Sequence, residues 1–87
     1  MKEYVVEYLG TVFFLYVIIA TGNPLAIGAA LALSIYLGGP ISGGNFNPAV
    51  TILMVLAKKQ PMSALMPYLI AQVLGALTVL ELYKRTK

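Results

Sequence analysis

The sequence predicts an all-α integral membrane fold, with three transmembrane helices and one re-entrant loop that carries a half-helix. Three observations predict it. The 87 residues are 60% hydrophobic and 10% charged, too apolar and too few to make a comfortable soluble core. The apolar residues fall into three runs, the first and third long enough to cross hydrocarbon and the second shorter, and the basic residues stand near their ends. Between the second and third runs lies Gly38 to Thr51, Gly-Gly-Pro-Ile-Ser-Gly-Gly-Asn-Phe-Asn-Pro-Ala-Val-Thr. Four glycines, two prolines and two asparagines do not make a spanning helix. Unpaired backbone is too costly to face lipid, so this stretch has to line protein or a wet cavity.

Taken in order, residues 4–20 form the first span, about 17 residues with Glu7 as its only charge, close to the lower limit for crossing. Lys2 ahead of an apolar run also fits a signal peptide. Glu7 interrupts that run, however, and equally apolar segments follow, so the segment is expected to stay on the protein. Thr21-Gly22-Asn23-Pro24 reads as a tight turn. Residues 25–37 form a short second span rich in small residues (Ala26, Gly28, Ala29, Ala30, Ala32), which let helix backbones approach closely and predict burial among helices. Residues 38–57 form the loop and half-helix. Pro48 suits the first turn of a helix and Asn47 its N-cap, and the roughly ten residues from Pro48 reach about 15 Å, half a bilayer. The helix start therefore points towards the membrane centre with roughly half a positive charge, and the Asn47 amide can offer N–H to whatever passes. Pro61 breaks the pattern, and residues 62–83 form the third span, with Ala71 and Gly75 at small-xxx-small spacing. No linker interrupts residues 1–87, which read as a single membrane domain.

With no cysteine or histidine, thiolate and zinc sites have no ligand set, and no metal or cofactor is expected. Net charge is +3, but its basic residues read as interfacial anchors rather than a nucleic-acid surface. Glu7 is different. A carboxylate inside a span is expensive and marks function by default. Glu81, near the end of the third span, reads as interfacial. Thr51 and Ser63 are expected to bond back to their own helices.

The stretch Ser42-Gly43-Gly44-Asn45-Phe46-Asn47-Pro48-Ala49-Val50-Thr51 resembles the Asn-Pro-Ala signature loop of the aquaporin and aquaglyceroporin (major intrinsic protein) family. Glu7-Tyr-Leu-Gly10-Thr11 is similar to that family's first-helix motif, and Tyr68-Leu-Ile-Ala71-Gln72-Val-Leu-Gly75-Ala76 to its third-helix motif. The resemblance implies a channel, not an enzyme. It gives the pore signature to Asn47, Pro48 and Ala49, and pore-lining carbonyls to Gly43, Gly44 and Asn45. Glu7, helped by Gln72, would accept hydrogen bonds from N–H groups of the Gly39 to Phe46 loop. The constriction positions would be Ile27, Ile35, Gly44 and Val50. Those side chains are apolar where the family often has an arginine, so strict water selectivity is not expected, and small neutral solutes such as water and glycerol fit best.

Family members carry two such halves as an inverted repeat, whereas one is present here. A single half leaves Asn47 facing nothing and one side of the pore open to lipid. A second copy in the opposite orientation would complete it. Lys2, Lys58 and Lys59 on one side balance Lys84, Arg85 and Lys87 on the other, as dual topology requires. The expectation is an antiparallel homodimer in the membrane, with a tetramer of dimers by analogy to family tetramers. Two alternatives stand beside it. One is a small dual-topology exchanger using Glu7. The other is a non-conducting half that joins a separate channel subunit, or an excerpt of a longer channel, against which Lys2 after Met1 and the basic C-terminus weigh.

Overall fold

The computed structural model describes residues 1–86. Among them are four α-helices, α1 (Lys2–Thr21), α2 (Pro24–Ser42), α3 (Pro48–Leu56) and α4 (Leu65–Thr86), with a 3-10 turn at Met62–Ala64 leading into α4. Three helical segments, Lys2–Thr21, Pro24–Ser42 and Met62–Thr86, are long and apolar enough to cross a membrane. The chain is all-helical, integral to a membrane and multi-pass.

Helix α1 is central. It packs against α4 on one side and α2 on the other, while α3 packs on α4. Helices α1 and α4 run parallel, pinned at three levels. The Tyr4 and Tyr68 rings meet edge to face at 5.9 Å, and hydroxyl bonds join Tyr8 to Thr78 at 2.6 Å and Tyr16 to Thr86 at 2.9 Å. Close approach depends on Gly75, where a Cβ would lie 2.9 Å from the Thr11 methyl.

The interior mixes polar side chains with small and aromatic apolar ones, such as Ala30, Ala71 and Phe46, and the outside is apolar. Glu7, Thr11, Ser34, Ser42, Asn45, Thr51 and Gln72 are all buried, whereas Val5, Leu9, Phe13, Leu33, Leu37, Leu74 and Leu77 are exposed. In water this arrangement would waste the hydrophobic effect. In lipid it is favourable, because apolar side chains meet hydrocarbon while Glu7, Ser42, Asn45, Thr51 and Gln72 bond one another inside.

Helix α2 departs from expectation. Rather than ending at Leu37, it continues through Gly38, Gly39 and Pro40 to Ser42. Read locally, Gly-Gly-Pro is a breaker. At membrane depth each helical turn instead satisfies backbone groups that nothing else would, and Pro40 lies in the last turns, where its missing N–H costs one bond. Gly43 at φ 94° then closes the helix with its N–H on the Gly39 carbonyl. The small residues of α2 are not enclosed either. Ala30 is buried, but Gly28, Ala29 and Ala32 are exposed, since among the described residues the long helix that α2 packs on is α1 alone.

Candidate functional site

The site is built around Glu7. From the second turn of α1, fully buried, its carboxyl group accepts four hydrogen bonds. Oε1 takes the Phe46 N–H at 2.8 Å and Gln72 Nε2 at 2.9 Å; Oε2 takes the Ser42 hydroxyl at 2.7 Å and the Asn45 N–H at 3.1 Å. Bonds to a carboxyl group are among the stronger ones, and two of these satisfy backbone donors of irregular chain that would otherwise be stranded. Among the described residues, the donors from the Gly39 to Phe46 stretch are Ser42, Asn45 and Phe46, with Gln72 added from α4. Gly39, for which a loop role was expected, is helical.

Gln72 bridges. Its Nε2 also donates to the Thr51 hydroxyl at 2.8 Å, and Asn45 Nδ2 donates to the same oxygen at 2.9 Å. The expectation that Thr51 serves its own helix is therefore corrected. Its hydroxyl joins the loop, α3 and α4, and it is fully buried. Ser63 is exposed in the turn before α4. Glu81 is exposed, 3.9 Å from Lys84 and 3.6 Å from Arg85.

The loop is fixed by packing as well. Phe46 is 2% exposed and sits at φ 56°, a left-handed conformation costing roughly 1–2 kcal/mol for a non-glycine residue. Its ring fills space left by two missing side chains. A Cβ on Gly10 would overlap the ring, and one on Gly38 would come within 2.8 Å of Val6.

So held, the loop delivers the chain to α3. Asn47 caps that helix by accepting the Ala49 N–H on Oδ1 at 2.8 Å, with Pro48 at the first position. Asn47, Pro48 and Ala49 are exposed. Among the described residues, no hydrogen bond ends on the carbonyls of Gly43, Gly44 or Asn45, and the Asn47 amide nitrogen has no acceptor. Nine residues long, α3 advances about 13 Å, less than half the hydrocarbon thickness.

Of the expected constriction residues, Gly44 and Ile35 are brought together, a Cβ on Gly44 lying 3.4 Å from Ile35 atoms. Ile27 is half-buried eight residues back, about 12 Å along α2, and Val50 is 37% exposed on α3. Sequence reasoning missed Tyr68, whose hydroxyl donates to the Ser42 carbonyl at 2.6 Å, and Gln60, which bonds Asn45 and Ser42. Tyr68 lay in a motif already singled out; Gln60 carried no local signal.

The family model described as "Major intrinsic protein" matches residues 1–86. The chain belongs to that family. It is 42% identical over 86 residues to the Glycerol uptake facilitator protein-like 6 of Lactiplantibacillus plantarum, an alignment covering 88% of this chain and 40% of the relative. It is also 35% identical to the Aquaporin Z of Bradyrhizobium diazoefficiens, over 94% of this chain and 40% of the relative. A shorter stretch of 52 residues is 56% identical to the Aquaporin AqpM of Methanothermobacter marburgensis, covering 60% of this chain and 21% of the relative. The chain thus spans about 40% of the length of the first two relatives. No solved structure matches it.

Proposed function

We propose that this chain forms a passive transmembrane pore for water and small neutral solutes such as glycerol, completed by a second copy in the opposite orientation. The observation that carries the reading is the presentation of α3. A half-length helix starts at an exposed Asn47 with a free amide donor, held in place by a loop whose own polar groups are tied to buried Glu7. Partial positive charge at such a helix start disfavours cations and tolerates neutral hydrogen-bonding solutes. The carbonyls of Gly43, Gly44 and Asn45 supply acceptors beside it, and Ile27, Ile35, Gly44 and Val50 line the mouth. No bond chemistry is involved.

A second half-helix is needed opposite the first, and an inverted copy of the same chain supplies it. Because α1 and α4 are parallel, Lys2, Lys58 and Lys59 fall on one side and Lys84 and Arg85 on the other. Lys87, expected with the second group, lies outside the described residues. The exchanger reading gains nothing from Glu7, whose oxygens are buried and occupied by four protein donors.

Swelling of proteoliposomes in water and glycerol gradients, with and without a proton gradient, tests the proposal. Saturation-free flux of neutral solute, indifferent to the proton gradient, is the expected result. Flux that requires the proton gradient supports the exchanger, and no flux until a second channel protein is added supports a hetero-assembling half.

A further inference from the structure

Gln60 lies outside the loop, in the connection between α3 and α4. That connection is folded tightly under the end of α3: the N–H groups of Lys59 and Gln60 both reach the Met54 carbonyl, at 2.9 and 3.2 Å, and Lys58 turns through φ 61°. From there the Gln60 amide reaches the loop. Its Oε1 accepts Asn45 Nδ2 at 2.7 Å, its Nε2 donates to the Ser42 carbonyl at 3.2 Å, and a Cβ on Gly43 would stand 3.0 Å from that nitrogen. The segment it touches has an unusual backbone, with Gly43, Gly44 and Phe46 at φ 94°, 67° and 56°. Such a run keeps its shape only where surrounding contacts over-determine it. The other side chains that tie it, those of Glu7, Thr51 and Tyr68, are buried, whereas Gln60 is half-buried.

The geometry points to Gln60 as a positioning residue for the pore proposed above, on which this inference rests. Its amide clamps Asn45 and the Ser42–Gly43 peptide from the outer side of the loop, and so sets where the Gly43 and Gly44 carbonyls stand relative to passing solute. Both halves of the amide are used, one as acceptor and one as donor. Glutamate keeps the acceptor for Asn45 but sets an oxygen against the Ser42 carbonyl. Leucine loses both contacts.

The test compares wild type with Gln60→Leu and Gln60→Glu as full chains in proteoliposomes, with water, ethylene glycol and glycerol as probe solutes and flux normalised to inserted protein. Backbone amide exchange at residues 43–46 is measured on the same samples. Gln60→Leu should speed exchange at those residues roughly tenfold, leave the middle of α1 and α4 unchanged, and shift the glycerol-to-water permeability ratio by about threefold or more. Gln60→Glu should fall between Leu and wild type. Equal losses of water and glycerol flux, or an unchanged ratio, would mean that Gln60 only helps the chain fold and would overturn the assignment. If wild type passes none of the solutes, the pore reading fails by itself. The exchange data then decide whether Gln60 holds the loop: faster exchange keeps that assignment, and unchanged exchange removes it. Should Gln60→Leu not insert, Gln60→Glu carries both readouts.

Discussion

The chain uses Asn-Pro to start a helix twice, at Asn23-Pro24 and at Asn47-Pro48, and the local chemistry is nearly the same. In both, the asparagine is extended, proline takes the first helical position, and the side-chain oxygen accepts a backbone N–H, at 2.9 Å from Ala26 and 2.8 Å from Ala49. The difference lies in what precedes them. Asn23 follows Gly22, at φ 57° in an exposed turn, with only the Thr21 hydroxyl bonded to its N–H at 3.1 Å. Asn47 follows Asn45 and Phe46, both buried and both donating N–H to Glu7. One cap opens a 19-residue spanning helix and the other a nine-residue half-helix. Capping chemistry is thus shared, and position comes from the buried network behind it.

The largest break in this comparison is Glu7→Ala. It strands the N–H groups of Asn45 and Phe46 in a dry site, each costing about 1–3 kcal/mol, and releases Ser42 and Gln72 as well. Yield of folded protein and flux should both collapse, while Thr21→Ala, beside the other Asn-Pro, should be tolerated. Thermal melting in detergent and proteoliposome swelling check this together. If Glu7→Ala instead kept assembly and permeability but abolished proton-coupled transport of a cation, the exchanger would replace the pore.

A second break leaves every pore residue alone. Changing Lys58 and Lys59 to Gln, or Lys84 and Arg85 to Gln, unbalances the charges flanking the spans and should send each variant into mainly one orientation. Parallel copies bring their half-helices in from the same side. Either variant alone should then lose most flux with no change in melting, and co-expression should recover it. Thiol labelling of a single engineered cysteine at each terminus reports orientation. Full flux from one variant locked in one orientation would end the antiparallel pair.

A third contrast sets two glycines against each other. Gly10→Ala drives a methyl into the Phe46 ring, which is buried and cannot swing away, and should destabilise by about 1–3 kcal/mol. Gly28→Ala meets nothing within 4 Å, and better helix propensity should make it neutral or stabilising by about 0.5–1 kcal/mol. Denaturation of the two variants side by side checks the sign as well as the size.

These contrasts also mark what could be read from the sequence. The three spans were legible because apolar run length is a direct count, and α3 because proline and asparagine have positional meaning at a helix start. The end of α2 was not. Gly38-Gly39-Pro40 looks like a breaker by propensity, yet the demand for backbone pairing in lipid continues the helix, and Gly38 serves packing against Val6 and Phe46. Nor were the ties of Tyr68, Gln60 and Thr51 to the loop. Those of Tyr68 and Gln60 to Ser42 join residues 26 and 18 positions apart, and hydroxyls and amides on helices offer no periodic signal saying which way they bond.

A pair of matched, modest effects on stability is the sharpest test of the comparison. Asn23→Ala and Asn47→Ala each remove one cap bond, and each should cost about 0.5–2 kcal/mol, with similar shifts in melting. If capping were all that Asn47 does, the two variants would also conduct alike. The amide nitrogen of Asn47, exposed and without an acceptor, predicts otherwise. Asn23→Ala should leave flux per inserted protein unchanged, whereas Asn47→Ala should reduce it and weaken the exclusion of cations. Asn47→Asp separates the two roles. Aspartate keeps the cap oxygen and suits a helix N-terminus, so stability should hold, but it replaces the N–H donor with an acceptor and places negative charge on the proposed path of the solute. Neutral-solute flux should fall and cation leak rise in that variant, measured as swelling and as ionic current in the same bilayers. Wild-type flux with no cation leak from Asn47→Asp would reduce Asn47 to a second copy of Asn23.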